Sequence, residues 1–175
     1  MAWSTSVVLS WCRWELIELN RLTPAEAEQR LYSCFASHRW ARLVAIGRPY
    51  PDLEALLAGA EQAWAKLEAA DWSDALAGHP RIGEGGGSSP AASEREQSGV
   101  RAANTETLAQ LAEENRRYEE RFGHVFLIAA AGRGADEILV AMRKRMSNDS
   151  VTEARTAAAE HRKIARLRLA AMVQS

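Results

Sequence analysis

Apolar residues recur along most of this chain at steps of three and four positions, which is the spacing of one face of an α-helix. One stretch with this spacing holds six such residues: Leu53, Leu56, Leu57, Ala60, Trp64 and Leu67. A second stripe predicts a long helix over 105–122, stopped by Gly123, and consists of Leu108, Leu111, Ala112, Tyr118 and Phe122. One polar residue, Asn115, lies inside that stripe. The pattern therefore predicts a protein built mainly of helices.

Two capping patterns place the starts of helices. In Thr23-Pro24-Ala25-Glu26 the threonine can cap, the proline suits the first helical position and the glutamate completes a capping box. The helix that begins there is predicted to run through Leu31 and Phe35. The same pattern in Ser150-Val151-Thr152-Glu153 predicts the start of a last helix, over 150–173.

Other helix ends are predicted from single residues. A helix from about Arg39 is predicted to end near Gly47, because glycine favours the C′ position. Asp52 is predicted to cap the following helix. Ser73 is predicted to open a short helix that Gly78 closes, and a further helix is predicted over 135–146.

One apolar run, from Val125 to Ala131, is compatible with either a buried strand or a buried helical segment. The whole pattern gives about seven to nine helices and at most one strand. The predicted fold class is therefore all-α, a single-domain helical bundle. That domain is predicted to span residues 17–175.

Residues 1–16 precede the predicted domain and hold three of the six tryptophans, Trp3, Trp11 and Trp14. One interpretation is an N-terminal extension without fixed structure, or an upstream start of translation. The other is a tryptophan anchor for a partner chain. The short apolar piece of this segment is weaker than the core of a signal peptide.

Composition removes several functional classes. The 175 residues suit one domain with a real core, and a formal net charge of −1 gives no electrostatic reason to expect nucleic acid or an anionic membrane as partner. The two cysteines, Cys12 and Cys34, form neither a disulfide framework nor a CxxC pair, which favours a reducing, cytoplasmic setting. No apolar run approaches the roughly 20 residues that cross a bilayer.

The least regular part of the chain contains the residues best suited to chemistry. It comprises Gly78-His79-Pro80-Arg81-Ile82-Gly83 and, after a glycine–serine loop, Ser93-Glu94-Arg95-Glu96-Gln97. Pro80 pushes His79 out of the helical region toward an extended backbone. Loops on a rigid scaffold commonly carry function, and histidine with glutamate is a sensible acid–base pair. The sequence therefore predicts one wall of an active site here.

Simpler interpretations of the same residues stay open. Ser93-x-x-Glu96 is also a capping-box pattern, and a histidine before proline can simply hydrogen-bond its loop together. His79, Glu96, His124 and His161 could hold a metal, but no HxxxH or HxH pattern supports such a site.

The last predicted helix carries two polar residues on an apolar face. At about 100° per residue, His161 and Arg168 fall near the middle of the face that includes Ala157, Ile164, Ala165, Ala171 and Met172. A permanently charged guanidinium there needs an anionic or carbonyl partner, which a ligand, Glu153 or Glu160 could supply. For His161 the favoured interpretation is a hydrogen-bonded core histidine.

Taken in order, these motifs resemble the 2-oxo-4-hydroxy-4-carboxy-5-ureidoimidazoline (OHCU) decarboxylase family of urate degradation. The likeness covers about Leu19 to Val173, and six motifs in sequence make it specific. They are His79-Pro80-Arg81-Ile82-Gly83, Ser93-x-x-Glu96-Gln97, Leu111-x-x-x-Asn115-x-x-Tyr118-x-x-x-Phe122-Gly123, Phe126-Leu127-Ile128-Ala129-Ala130, Arg145-x-x-Asn148 with Glu153, and Lys163-Ile164-x-x-x-Arg168-Leu169. The chain departs from the family at His124, where an apolar aromatic is usual, and in residues 1–16, which have no counterpart.

The resemblance implies an all-helical homodimer that needs no metal or organic cofactor and converts OHCU to (S)-allantoin. It implies that His79 is the acid–base residue and proton donor, that Glu96 positions the substrate, and that Arg168 holds an anionic or carbonyl oxygen. It further implies a set of residues that bind the substrate ring and its ureido arm: Pro80, Ser93, Gln97, Phe126, Leu127, Ile128, Ala129 and Ala130.

Two other functional classes are carried as alternatives. The first is a metal-dependent hydrolase on the same helical scaffold, which would lose its activity on chelation. The second is a non-catalytic helical interaction module that docks through the tryptophan-rich N-terminus. Such a module would show no small-molecule effect on its melting temperature, whereas an enzyme is stabilised by its ligand.

Overall fold

The computed structural model describes residues 16–77, 79–84, 90–101 and 103–174. Within these residues there are ten helices and no strand, and eight of the helices have at least seven residues, so the all-α class is confirmed. The helices are residues 16–21 (α1), Pro24–Tyr32 (α2), His38–Ile46 (α3), Leu53–Trp64 (α4), Ala69–Ala77 (α5), Pro90–Glu96 (α6), Ser98–Arg101 (α7), Thr105–Phe122 (α8), Ala135–Arg145 (α9) and Ser150–Gln174 (α10).

Two predicted features fall outside these residues. Residues 1–15, with the three tryptophans of the predicted extension, are not among those described, so both interpretations of that segment stay predictions. Gly78, the predicted end of α5, is not described either. In the part of the chain that is described, no helix is long and apolar enough to cross a bilayer.

Three predicted helix boundaries are confirmed by their hydrogen bonds. Thr23 and Glu26 form the expected capping box of α2. Asp52 caps α4, since its Oδ1 accepts a hydrogen bond of 2.8 Å from the Ala55 amide. Gly123 ends α8 in the left-handed region, at φ 74°, a conformation that glycine adopts without steric cost.

Two predictions made from single residues need correction. Helix α3 does end next to Gly47, but the φ of Gly47 is −69°, which is right-handed, so this residue is not the left-handed C′ glycine that was expected. Helix α5 begins at Ala69 rather than Ser73, because two alanines, the strongest helix formers, precede Asp71. The Asp71 carboxylate also accepts a hydrogen bond of 2.9 Å from the Glu68 amide, which supports this earlier start.

The last helix begins at Ser150 as predicted, but neither of the two later capping-box patterns supplies the cap of its helix. Pro90 suits the first helical position, so α6 begins there and Ser93 lies inside the helix, where its carbonyl accepts from the Gln97 amide. At α10 the cap is Asp149, whose Oδ1 accepts from the amides of Val151 (3.0 Å) and Thr152 (2.9 Å). The hydrogen bonds from the Thr152 backbone and side chain lower the pKa of Asp149.

The apolar run that the sequence left open is neither strand nor helix. Residues 125–130 have no regular secondary structure, although Phe126, Leu127, Ile128 and Ala130 are buried. Side chains hold this backbone instead. Arg145 donates a hydrogen bond of 2.6 Å to the Leu127 carbonyl, and the Ala129 amide donates one of 2.9 Å to Glu160.

The chain folds as two compact units. The first contains the described residues up to Asp74 and those from Ala165 onward. Its centre is aromatic: the Trp40 ring centroid lies 5.3 Å from those of Phe35 and Trp64, and its indole N–H donates to the Ala60 carbonyl at 3.2 Å. Aromatic rings at such separations supply large buried area and a favourable ring–ring geometry.

The second unit runs from Ala75 to Ile164 and has its own apolar core. The buried members of that core are Ile82, Val100, Leu111, Tyr118, Phe126, Ile128, Ala130, Ala135, Ile138, Leu139 and Met142. They come from the loop after α5, from α7, α8 and α9, and from the irregular segment 125–130. The core therefore depends on a segment that cannot hold its shape by its own backbone hydrogen bonds.

A buried ion pair fixes that segment. Glu153 on α10 has no exposed surface and accepts hydrogen bonds from Arg145 on α9, Tyr118 on α8 and Asn148. The Arg145 guanidinium also lies over the Phe126 ring, 4.4 Å from its centroid. Burial opposes ionisation of Glu153, but the hydrogen bonds from Arg145, Tyr118 and Asn148 outweigh it and lower the pKa of the carboxyl.

Removing the cation of this pair is expected to be costly. Arg145→Met should lower the free energy of unfolding by about 3–5 kcal/mol, because it leaves Glu153 as an uncompensated buried charge. Arg143→Met is the matched control on the same helix, because Arg143 is exposed and pairs with Glu114 at 3.0 Å. This control substitution should lower the free energy of unfolding by less than about 1 kcal/mol. Urea unfolding measures both; equal losses would contradict the structural role of Arg145.

Stability is also expected to depend on pH through Glu153. A carboxyl whose pKa in the folded state lies below its ordinary value of 4.5 stabilises the fold above that value and loses this contribution as pH falls through the folded pKa. The stability gap between the natural protein and Glu153→Gln should thus be widest near about pH 7 and shrink under acid conditions. Glu120→Gln, on the exposed face of α8, is the control and should show a flat difference; a constant gap for Glu153→Gln would contradict the assignment.

Candidate active site

Hydrogen bonds and an ion pair hold residues 79–84, the described part of the loop after α5. The His79 amide bonds the Leu76 carbonyl, and Asn115 on α8 donates to the Ile82 carbonyl at 3.0 Å. Arg81 makes a two-pronged ion pair with Glu119 on α8, at 2.7 and 2.9 Å, which raises the pKa of the guanidinium. The backbone carrying His79 and Pro80 is therefore rigid, as a preorganised site requires.

Gln97, the residue that follows helix α6, contacts the same loop. The Gly83 amide donates a hydrogen bond of 2.7 Å to the Gln97 side-chain carbonyl, where Gly83 has a φ of 92°. Because this bond uses the oxygen of the Gln97 amide, its nitrogen is the group that Gln97 can offer to a ligand. Ser93 lies one turn earlier on α6 and is buried, and Glu96 is half-buried at the helix end.

The imidazole of His79 lies against a second imidazole. Its Nε2 is 2.8 Å from Nε2 of His161 on α10, and the two ring planes are almost perpendicular, at 89°. His79 is 8% exposed and His161 has no exposed surface. The interpretation of His161 as a hydrogen-bonded core histidine is confirmed, but its partner is the predicted acid–base residue itself.

Side chains from α9 and α10 hold the backbone of the predicted ligand-binding segment, Phe126 to Ala130. Its Leu127 carbonyl and Ala129 amide are bonded to Arg145 and Glu160, as described above. The Glu160 carboxyl also accepts from Lys163, and these hydrogen bonds overcome the effect of its burial and lower its pKa. The Ala129 amide and the Leu127 carbonyl are already hydrogen-bonded to protein side chains. A ligand would therefore bind the other backbone groups of the segment.

Arg168 belongs to the other compact unit, on the C-terminal part of α10, and is only 6% exposed. The sequence offered Glu153 and Glu160 as internal partners for it. The hydrogen bonds of Glu153 go to Arg145, Tyr118 and Asn148, and those of Glu160 go to the Ala129 amide and Lys163. The role of Arg168 as an anion-binding residue stays a prediction.

The metal-site alternative gains no support from the described ranges of the chain. Among those residues, no group of three or more histidine, cysteine, aspartate or glutamate side chains is arranged to hold a metal ion. Of the four residues considered for such a site, His79 and His161 contact each other, whereas His124 bonds the Val125 carbonyl and lies near Tyr118.

Sequence reasoning missed what three polar residues do. Asn115 was visible as a polar interruption of an apolar stripe, and it proves to hold the carbonyl of Ile82 in the active-site loop. Arg145 was noted only as part of a family motif, and Glu153 was assigned to a capping box or to a pairing with Arg168. The two instead form a buried pair with each other, and Arg145 holds segment 125–130. A polar residue within an apolar helical face was the available signal for Asn115.

Comparisons with known proteins give one consistent answer. The chain matches the OHCU decarboxylase family model over residues 20–170. It is 30% identical over 161 residues to the 2-oxo-4-hydroxy-4-carboxy-5-ureidoimidazoline decarboxylase of Haloferax volcanii, covering 89% of this chain and 94% of that protein. It is 32% identical over 143 residues to the uric acid degradation bifunctional protein TTL of Arabidopsis thaliana, covering 78% of this chain but only 44% of that longer protein.

A solved structure agrees in fold. The chain is similar to a crystal structure of OHCU decarboxylase in the presence of (S)-allantoin, with a TM-score of 0.74 and 28% identity over 84% of this chain and 99% of that one. The fold and the ordered motifs define an all-helical carboxy-lyase. The chain belongs to the OHCU decarboxylase family of urate degradation.

The hydrogen bond between Gln97 and the loop gives a local prediction. Gln97→Leu removes the acceptor of the Gly83 amide, so that amide should exchange with solvent faster, by the equivalent of about 0.5–1.5 kcal/mol of lost protection. Gln110→Leu, an exposed position on α8, is the matched control and should leave Gly83 unchanged. Amide hydrogen exchange followed by NMR measures both; unchanged protection in Gln97→Leu would show that other contacts hold the loop.

Proposed function

We propose that this OHCU decarboxylase removes the carboxylate of OHCU and releases (S)-allantoin without a metal or organic cofactor, using His79, Glu96 and Arg168. The observation that carries the proposal is the His79 imidazole, nearly buried and hydrogen-bonded in a loop that Gln97 and α8 hold in place. A general acid must be held within reach of one atom to be effective, and this loop meets that requirement.

The substrate supplies its own electron sink. When the carbon–carbon bond to the carboxylate breaks, its electron pair moves into the adjacent C=N bond of the ring and CO₂ leaves. One proton is then added to the carbon skeleton, so the balance is substrate carboxylate plus one proton giving product plus CO₂. The protein must orient one face of the ring and deliver that proton from a single side to give one enantiomer.

Each named residue has a role that suits its surroundings. His79 is the proton donor. Glu96, half-buried at the end of α6, positions the substrate. Arg168 has little exposed surface, and its planar guanidinium offers several N–H donors, so it is suited to hold an anionic or carbonyl oxygen of the ligand.

The remaining predicted contacts bind the ring and the ureido arm. Ser93 on α6 and the amide nitrogen of Gln97, just after α6, offer polar groups, and Pro80 packs against the ring. Backbone groups of Phe126 to Ala130 complete the set, with the Ala129 residue contributing through its carbonyl because its amide is bonded to Glu160. Buried polar groups that match a ligand give specificity, since a wrong ligand leaves them unpaired.

The proposal includes a homodimer, which the family resemblance implies, and a cytoplasmic setting, which the two cysteines favour. Light scattering coupled to size-exclusion chromatography measures the oligomeric state directly. A mass of one chain, 19.3 kDa, at assay concentration would remove the dimer from the proposal without touching the chemistry.

Three substitutions are expected to abolish most activity while leaving the fold intact. OHCU is generated enzymatically from urate, and circular dichroism follows the formation of (S)-allantoin. His79→Ala should lower kcat by about 10²–10⁴-fold, the usual contribution of a general acid, and Glu96→Ala and Arg168→Ala should also lose most activity.

The matched controls for these three variants are His124→Ala, Glu94→Ala and Arg166→Ala. Glu94 and Arg166 are exposed, and Arg166 pairs with Glu61. Full activity in His79→Ala would remove this mechanism.

The same assay separates the alternatives. Activity that disappears with a chelator and returns with a divalent metal would favour the hydrolase class. Formation of (S)-allantoin no faster than in buffer, together with a melting temperature that allantoin does not raise, would favour the non-catalytic module, because a ligand of the folded state must stabilise it.

A further inference from the structure

Two hydrogen bonds hold the irregular segment 125–130 immediately before and after Ile128. The Leu127 carbonyl accepts a hydrogen bond of 2.6 Å from Arg145, and the Ala129 amide donates one of 2.9 Å to the Glu160 carboxylate. All these residues belong to the second compact unit. The two bonds therefore fix both of the peptide units in which Ile128 takes part.

Peptide geometry then decides where the backbone groups of Ile128 point. Both peptide units are trans, and in a planar trans unit the C=O and the N–H point in opposite directions. Since the Leu127 carbonyl points at Arg145, the Ile128 amide of the same unit points away from Arg145. Since the Ala129 amide points at Glu160, the Ile128 carbonyl of that unit points away from Glu160.

Arg145 and Glu160 lie on the same side of the segment. Burial opposes ionisation of the Glu160 carboxyl, but the hydrogen bonds from Ala129 and Lys163 and the nearby charge of Arg145 lower its pKa. The contribution from Arg145 means that the two charged groups are close to each other. The amide and the carbonyl of Ile128 therefore both face the opposite side, as one donor next to one acceptor.

This pair of Ile128 groups lacks a partner in the part of the chain that the structure describes. Ile128 is only 5% exposed, yet no described residue forms a hydrogen bond with its amide or with its carbonyl. Its side chain belongs to the apolar core of the second unit, so the backbone is what it can offer to a ligand. Buried backbone groups without a partner cost free energy, and a ligand with matching groups recovers it.

We infer that Glu160 is a positioning residue for substrate binding, because its bond to the Ala129 amide directs the Ile128 amide and carbonyl toward the urea-type groups of the ligand. The inference rests on the proposed function and deepens it, since OHCU and allantoin carry a C=O next to an N–H both in the ring and in the ureido arm. A neighbouring donor and acceptor can form two hydrogen bonds with such a group. Glu160 acts through the peptide unit and does not itself contact the substrate.

The negative charge of Glu160 gives this arrangement its direction. An ionised carboxylate has no N–H or O–H, so it can only accept. The peptide unit between Ile128 and Ala129 cannot turn over without losing its hydrogen bond and placing its carbonyl against that charge. Lys163 donates to the other carboxylate oxygen, but its side chain is 60% exposed. The contact with Ala129 is therefore the one that holds the site.

Two variants of Glu160 test the role. Leu removes the acceptor, whereas Gln keeps one oxygen that can accept from the Ala129 amide while the exposed Lys163 turns to solvent. Glu160→Leu should lower kcat/KM for OHCU by about 10–100-fold, the combined effect of two misplaced hydrogen bonds. Most of this loss should be a raised KM, because His79 is unchanged. Glu160→Gln should recover most of the loss.

Lys163→Met is the matched control, because it removes the other contact of Glu160 and leaves the bond to Ala129. Its kcat/KM should stay close to that of the natural protein, and melting temperatures show that each variant is folded in the assay. Equal kcat/KM in Glu160→Leu and Glu160→Gln, whether unchanged or impaired, would overturn the inference. A loss in Lys163→Met as large as that in Glu160→Leu would also overturn it.

An NMR measurement on the natural protein does not depend on any variant folding. The protein is labelled with ¹⁵N and titrated with (S)-allantoin. The Ile128 amide proton should move downfield as it begins to donate a hydrogen bond, while the Ala129 amide, already bonded to Glu160, should move much less. If allantoin raises the melting temperature but leaves the Ile128 amide unshifted, or shifts Ala129 more than Ile128, the inference is wrong.

Failure of the inference and failure of the proposed function can be told apart. Activity of the natural protein on OHCU is measured first and tests the function by itself. An active enzyme whose Ile128 amide does not respond to allantoin would overturn only the role of Glu160. A protein that neither forms (S)-allantoin nor binds it would overturn the proposed function, and with it the role drawn from that function.

Discussion

The buried ion pair between Arg145 and Glu153 is the interaction on which the second compact unit depends. Residues 125–130 are apolar enough to be buried, yet they form no regular ladder of backbone hydrogen bonds. Arg145 bonds the Leu127 carbonyl, and Glu153 neutralises Arg145 away from bulk solvent. A buried pair of this kind contributes less to net stability than its Coulomb energy suggests. Its value is that it specifies one arrangement of a backbone segment that could otherwise adopt several.

The active-site loop uses the same strategy on a smaller scale. The side chains of Gln97, just after α6, and of Asn115 on α8 hold the backbone that follows Pro80, and a second histidine contacts the ring of His79. Irregular backbone has to be fixed by side chains, because it lacks the repeated hydrogen bonds of a helix. This explains why so many polar residues of a small all-helical protein are buried and why they concentrate in the unit that carries the histidine–proline loop.

Much of the fold was predictable from the chain itself. The apolar stripes of α4 and α8 predicted those helices, and local caps at Thr23, Asp52 and Gly123 set helix ends, since each cap acts within one turn. The predicted cap was wrong where an adjacent residue supplied the capping hydrogen bonds instead. Asp149 rather than Ser150 caps α10, and Glu153, which the pattern assigned to the cap, is drawn inward by Arg145.

The sequence by itself determined the helical class, most helix boundaries and the family, because these depend on local periodicity, local capping and the order of short motifs. Only the tertiary structure decided which polar residues meet. The pairing of His79 with His161 joins positions 82 residues apart, and that of Asn115 with Ile82 joins positions 33 apart. No local pattern encodes such contacts, since they arise when separate helices bury their apolar faces and bring distant polar groups together away from solvent.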